Sequence, residues 1–523
     1  MSKLRSFFAT SLFLLQQFWN YHRPLHIALL ILSGYIVALY GWLPIVLAGA
    51  SFLLLPLLFP FPTLKVLLYR IPLLLCPTIA YLFCTATISL PHLPEEGIEG
   101  QGDFSITRIT RYETPFRKGW SYNGTMKSFV AQDSNVITRN IPCKIFISSK
   151  GKSRYLANCS YRIQGVLQHD PANQYSYRLK EKKGTMWEKI PHSWSLAEMR
   201  HRVAEKLRQH LAKHIDDSGS ASFIQGLAIG EFRDSLMVYD FSRLGLQHIM
   251  AISGFHFSLI ALILSVMLQL FFPQRLAHAA LILLLTAYFL FIGPAPSVYR
   301  AWAMTTILIV GLLLGRKTSA LHAMGVAMTT ALVINPLVIT NIGFQLSYLA
   351  AGGILLFYLP CDQWLQHAIP TRPLRQMANI PAWEQLLYCI IVLFRQALAL
   401  TLAVHLTIFP LILYYAHQFP IQSFLYNLFF PFLVSITLAL LVIGLVLYPI
   451  VPTISTFVHS VNNLYTKWTL SFPANAPAGL DWHIYVKELS ATWVCLYLAM
   501  ILAAGIYLHN KTYAKQRHTT FIC

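Results

Sequence analysis

LQHIMAISGFHFSLIALILSVMLQLFF, residues 246–272, runs for 27 positions without one Asp, Glu, Lys or Arg. A helix needs about 20 mostly apolar residues to cross the hydrocarbon core, because its backbone polar groups must be satisfied there without water. Toward the C-terminus, further runs of this kind follow almost without pause, at 276–292, 298–314, 321–337, 342–359, 396–415, 424–448 and 491–508. Toward the N-terminus there is none until 71–90, preceded by 45–61 and 27–40. The sum is about eleven crossings. Composition agrees: 56% of the 523 residues are apolar and 11% charged, against about 25% charged in a soluble domain. Mean hydropathy is +0.53. The segment at 27–40 is read as a first anchor rather than a cleaved signal.

The interval between the two membrane blocks, from Pro91 to Gly245, differs in kind. It is rich in Lys and Arg, and no apolar run in it is long enough to span. It is therefore a soluble insertion. Lys3, Arg5 and Arg23, then Lys65 and Arg70, hold their loops in the cytoplasm, so three crossings put the insertion outside. Arg275, the pair Arg316 and Lys317, and the pair Arg372 and Arg375 also fall on the cytoplasmic side. Lys511, Lys515 and Arg517 do not, so one crossing between Leu386 and Lys487 is missing or re-entrant, and residues 386–394 before Arg395 are read as the extra element.

Within the insertion, residues 104–112, 119–131, 143–149 and 155–168 are short aromatic or β-branched stretches between turn formers, which reads as strands. Four to six of them suggest a small barrel or sandwich, with an oligonucleotide-binding (OB) barrel as one candidate. Cys143 and Cys159 lie eight residues either side of Gly151. In a hairpin they would face each other and could oxidise outside the cytoplasm; otherwise both are buried small side chains. The other six cysteines have no metal-ligand spacing and read as packing residues. Tyr112, Arg117, Lys118, Trp120, Tyr122, Lys144, Lys150, Lys152, Arg154 and Tyr155 interleave rings that can stack on bases with cations that can hold phosphates. Strand aromatics that simply form a core are the plainer reading. Next, Leu196, Met199, Val203, Leu207 and Leu211 recur at helical spacing among Arg200, Arg202, Lys206, Arg208 and Lys213. This is a basic amphipathic helix, either lying on the membrane surface, guiding DNA, or packed on its own domain.

Four motifs follow in order. FIQGLAIGEFRDSL from Phe223 and FSRLGLQHIMAISGFHFSLI from Phe241 contain Gly226, Leu227, Gly230, Gly245, His248, Ala251, Ser253, Gly254 and His256. PSVYRAWAM from Pro296 carries Arg300 and Ala301, and GFQLSYLA from Gly343 carries Gln345 and Ser347. His405, Pro410, Phe419, Asn427 and Pro431 complete the series. Together they resemble the ComEC-type competence family, the channels that import single-stranded DNA during bacterial transformation. The resemblance covers most of the chain from Pro91 onward. It implies a bacterial inner-membrane protein with an OB-like extracytoplasmic domain, and two partners, a periplasmic DNA receptor and a cytoplasmic helicase-like translocase. Many family members carry a metallo-β-lactamase-like domain with an H.H.DH run; none occurs in these 523 residues, so no hydrolytic role is carried over.

The resulting expectation is a polytopic α-helical membrane protein in four parts: an N-terminal membrane segment 1–90, a β-rich domain 91–190, a basic helical connector 191–245 and a competence membrane domain 246–523. His248, Ser253, Gly254 and His256 interrupt an apolar run and either line a path or bond a neighbouring helix. Arg300 meets phosphates or snorkels to headgroups, while Gln345, Ser347 and Asn427 form a polar vestibule or join helices. Pro410 and Pro431 should break or kink their helices. His248 and His256 share a helical face, but no third ligand supports a metal, and neither metal nor cofactor is expected. No phosphate-binding loop occurs and no acid stands near Ser253 and His256, so an ATP motor and a hydrolase are not expected. The function read from the chain is a passive conduit for single-stranded DNA in contact with membrane lipid. The rivals are an ion-coupled small-molecule transporter and a polytopic envelope sugar or lipid enzyme using His248, His256 and Asp481.

Overall fold

A computed structural model describes residues 15–41, 64–88, 93–94, 96–113, 118–131, 136–148, 154–170, 173–182, 185–251, 254–316, 318–372, 380–477, 479 and 481–520. The first membrane block contributes α1 (Arg23–Tyr40) and α2 (Leu64–Thr87). The crossing expected at 45–61 lies outside the described residues.

The insertion is a barrel of β1 (Ile98–Glu113), β2 (Lys118–Ala131), β3 (Val136–Ser148), β4 (Tyr161–Asp170) and β5 (Asn173–Glu181), with a short β6 (Glu188–Lys189). The strands pair in the order β1-β2-β3-β5-β4, and β4 returns to β1, so the sheet closes. β3 and β5 run parallel; the other pairs are antiparallel. Alternation explains the inside: in β3, Ile141, Cys143, Ile145 and Ile147 are buried while Lys144 and Phe146 face out. Phe104, Tyr122, Phe129, Tyr161, Leu167 and Trp187 fill the rest of the core.

Because β3 pairs with β2 and β5 and not with β4, the hairpin that would have placed Cys143 opposite Cys159 does not form. Both are free thiols. Cys143 is buried in the barrel, and burial pushes its thiol up to about 12.

Three short helices follow: α3 (Ala197–His214), α4 (Ser218–Ile229) and α5 (Ser235–Arg243). The basic connector helix is present as α3, but its buried face is Ala197, Glu198, Ala204, Arg208 and Leu211, with Met199 and Val203 exposed. Glu198 and Arg208 tolerate burial because both are ion-paired.

The membrane bundle comprises α6 (Gly254–Phe271), α7 (Gln274–Ile292), α8 (Pro296–Leu313), α9 (Ala320–Ile334), α10 (Ile342–Leu365), α11 (Ala382–Ala416), α12 (Ser423–Leu447), α13 (Pro452–Ala474) and α14 (Ala491–Thr520). Eight helices among the described residues are long and apolar enough to cross a membrane, with Ile71–Thr87 and Ala320–Ile334 as shorter apolar helices. The molecule is thus a polytopic helical membrane protein carrying a β domain.

Three expectations are corrected here. The run at 246–272 is not one helix, since a 3-10 turn at Gln247–Ile249 precedes α6. Residues 386–394 are not a separate element but the first part of the 35-residue α11. And α11 and α12 continue through Pro410 and Pro431 instead of breaking there. The helix that hydropathy missed is α13, whose buried side is polar: Ser455, His459, Asn462, Thr466 and Thr469.

Candidate nucleic-acid interface and membrane motif cluster

Of the residues expected to meet DNA, several build the barrel instead. Tyr122 is fully buried and its hydroxyl donates to the Tyr155 carbonyl at 3.1 Å. Burial holds its phenol up at about 12. Tyr155 stacks on Trp187 at 4.6 Å, only 4° from parallel. Trp120 is half-buried between His201 and the Arg154 guanidinium. Arg154 itself is committed to Glu198 through two hydrogen bonds, at 3.1 and 2.7 Å. Arg117, Lys150 and Lys152 lie outside the described residues, as does the side chain of Lys118.

Lys144 does reach the outer face, and it brings a constellation the sequence reading missed. Its partner in the parallel β3–β5 register is Arg178. Lys144 Nζ and Arg178 Nη2 share the buried carboxylate of Asp170, at 3.1 and 2.7 Å. Arg178 lies over the ring of Phe146, 5.5 Å from its centroid, and Phe146 is 45% exposed. An exposed ring flanked by two cations holding one carboxylate is a platform on which a base can stack while phosphate meets the remaining positive charge. The signal was the period of two that puts Phe146 on the same side as Lys144.

The barrel is seated on the membrane bundle by named contacts. The Tyr175 hydroxyl donates to the Leu39 carbonyl at 3.2 Å. Arg200 donates to Leu290 O at the end of α7 and to Thr107 O in β1. Arg108 of β1 pairs with Glu231, which also pairs with Arg208 at 2.7 Å, and Arg208 and Arg233 converge on Glu205. Glu231 and Arg233 belong to the GEFR run of the first motif, so part of that motif latches the barrel. Gly226 leaves room there for the Phe232 ring.

The other motifs meet in the bundle. Arg300 of α8 donates from Nε to Ser347 Oγ of α10 at 2.8 Å and lies 6.0 Å from the Tyr348 ring centroid. Its guanidinium rests on Gly254 at the start of α6, where a Cβ would collide with Nη2. Three motifs therefore converge on one cation within the first two turns of three helices, and no carboxylate pairs with Arg300 among the described residues. Gly245 adopts φ +71 and fits against Pro420 and Ser423, joining the first motif to the last. Gln345 Nε2 donates to Ile339 O at 2.7 Å. Gln345 Oε1, Tyr348 OH, Ser423 Oγ and Asn427 Oδ1 are buried with no hydrogen-bond partner among the described residues.

His248 and His256 do not share a helical face: His248 sits on the 3-10 turn and His256 in the first turn of α6. His405 Nδ1 donates to Thr401 O at 2.7 Å, and its ring stacks on Phe424. Ser253 lies outside the described residues. Deeper in the chain, Arg395 is buried and held by Asp362 at 2.9 Å and by Ile369 O at 2.8 Å. Asp481 pairs with Arg243 at 3.4 Å, and its carbonyl accepts from His483 Nδ1 at 3.3 Å.

Residues 234–511, just over half of the chain, match the model of a family described as Competence protein. ComE operon protein 3 of Bacillus subtilis (strain 168) is 28% identical over 156 residues, which is 29% of this chain and 20% of that protein. The chain therefore matches about a fifth of that relative's length. No solved structure matches.

Proposed function

This chain belongs to the competence protein family, and from that premise we propose that it is a conduit for single-stranded DNA in natural transformation, set in the bacterial inner membrane with its barrel outside the cytoplasm. The observation that carries the reading is the convergence of Gly254, Arg300 and Ser347 on a guanidinium with no carboxylate partner among the described residues. A cation without a counter-ion, near helix N-termini, suits a passing phosphate.

The barrel supports the same reading. Its strand order, closed with β3 parallel to β5, is the arrangement expected of an OB-like barrel, a class that takes single strands on its sheet face. Phe146, Lys144 and Arg178 are the residues assigned to DNA on that face. The helix α13, 23 residues long and so about 34 Å, is assigned as the crossing absent from the hydropathy count. That assignment returns Lys511 to the cytoplasmic side, as its charge requires. Reception of DNA outside and pulling from inside fall to a periplasmic receptor and a helicase-like translocase, and the chain itself is assigned no catalytic step. An ion-coupled transporter needs a titratable group free to exchange its ion; Arg395 and Asp362 instead satisfy each other.

The test is entry of labelled single-stranded DNA into competent cells carrying the wild-type chain, Arg300→Gln, or no copy. Arg300→Gln should insert normally yet lower entry at least tenfold. Entry that persists without the chain, or is indifferent to Arg300, overturns the proposal.

A further inference from the structure

Three histidines outside the motif cluster meet where α3 passes the α12–α13 hairpin. His210 and His214 are one turn apart on α3, with ring centroids 4.5 Å apart. His459 of α13 places its ring 5.9 Å from His210 and 5.8 Å from His214. Tyr448 closes one side, 4.3 Å from the His210 ring.

The hydrogen bonding of this cluster is incomplete in a particular way. His459 is fully buried, and neither of its nitrogens has a hydrogen-bond partner among the described residues. It occupies the space that Gly444 leaves, since a Cβ there would stand 2.7 Å from its ring. His210 Nε2 is likewise buried with no partner among the described residues. His214 differs: its Nδ1 donates to the His210 carbonyl at 2.8 Å, which fixes the tautomer and leaves Nε2 as a lone-pair donor.

Unpartnered buried nitrogens are costly, so a ligand common to them would be stabilising. Two histidines four residues apart on a helix present both imidazoles to one ion, as in helical zinc sites. With Zn–N near 2.1 Å and tetrahedral angles, three rings around one ion stand about 5 Å apart, centre to centre. The three separations here fall on either side of that value. The donors do not yet converge, no three His, Cys, Asp or Glu among the described residues being arranged around a common point. His459 can turn toward the other two without breaking a hydrogen bond among the described residues. All-imidazole sites favour zinc, copper or nickel over magnesium or calcium.

We propose that His210, His214 and His459 bind one divalent transition-metal ion of the zinc class, which fastens the connector helix α3 to the α12–α13 hairpin.

The test uses the full chain in detergent, with Co2+ as the spectroscopic probe. The expected result is one Co2+ per chain with the visible band of a four-coordinate ion, displaced by Zn2+, and a thermal midpoint that Zn2+ raises. His459→Asn, and separately the double variant His210→Gln with His214→Gln, should lose the band and the shift. His509→Gln, in the distinct ring cluster with Phe18 and His22, should keep both. The double variant lies on a half-exposed helix face and serves if His459→Asn does not fold. Absence of Co2+ binding, survival of the band in the double variant, or its loss only in His509→Gln overturns the proposal.

Discussion

Replacing Asp362 by Asn leaves the Arg395 guanidinium 2% exposed with its charge uncompensated. In the native chain Nε donates to Asp362 Oδ1 at 2.9 Å and Nη1 to Ile369 O at 2.8 Å, while Asp362 Oδ2 accepts from Gln366 at 2.7 Å. Breaking a buried pair on one side costs about 3–5 kcal/mol, because the surviving charge stays desolvated. Asp362→Asn and Arg395→Met should each fall in that range. Removing both, as Asp362→Leu with Arg395→Met, should return the chain to within about 1 kcal/mol of native stability, since the Coulomb gain of such a pair barely exceeds its desolvation cost. Denaturant unfolding in mild detergent, followed by tryptophan fluorescence, closes the cycle. Single variants costing under about 1 kcal/mol, or a double variant equal to the sum of the singles, would refute the pairing argument. The same variants bear on function. Were Asp362 an ion-coupling carboxylate, Asp362→Asn would abolish transport at unchanged stability.

Other expectations are as direct. Phe146→Ala should weaken binding of labelled oligo-dT to the full chain in nanodiscs about 5- to 150-fold, the worth of one stacked base, whereas Tyr155→Ala should cost the barrel about 0.5–1.5 kcal/mol through its lost stack on Trp187; equal effects on both properties would sink the distinction. Gly254→Ala drives a Cβ into the Arg300 guanidinium, so DNA entry should fall about as far as with Arg300→Gln while membrane insertion is unchanged, as cell fractionation would read. Burial raises the Glu198 carboxyl, but hydrogen bonds from Arg154, Ala157 N and Arg202 outweigh it and hold the group below its ordinary 4.5. That stabilisation is present above pH 4.5 and fades as pH falls through the folded value. Unfolding of the barrel should therefore show an acid-dependent loss that Glu198→Gln flattens, and an unaltered pH profile in that variant would count against it.

Hydropathy located the helices whose surroundings are apolar, because lipid and apolar neighbours select the same residues. It could not locate α13, whose buried side bonds to its neighbours: Asn462 donates to Thr437 O and Ser455 to Gly444 O. Four barrel strands were legible from β-branched and aromatic runs, but β5 was not, since Asn173–Glu181 mixes Tyr, Arg and Lys without a clear apolar face. Composition alone could not tell core aromatics from exposed ones. Tyr122 and Phe146 look alike until cross-strand register assigns their faces, and Cys143 looked opposite Cys159 until β3 was found beside β5. The motif cluster was legible as a list and not as geometry: nothing in the spacing of Gly254, Arg300 and Ser347 announces that they touch.

The latch of Arg108 on Glu231 spans 123 residues of sequence, which sets an order in time. The last barrel strand ends at Lys189, so during synthesis every strand exists before Glu231, Arg233 or any helix of the second membrane block has been made. A domain completed first folds first. The barrel must then stand for a while as a finished body tethered to α2, its Arg108 solvated, and wait for its seat to be built beneath it. Substitutions at Glu231 should accordingly spare the folding of the barrel and delay only its docking.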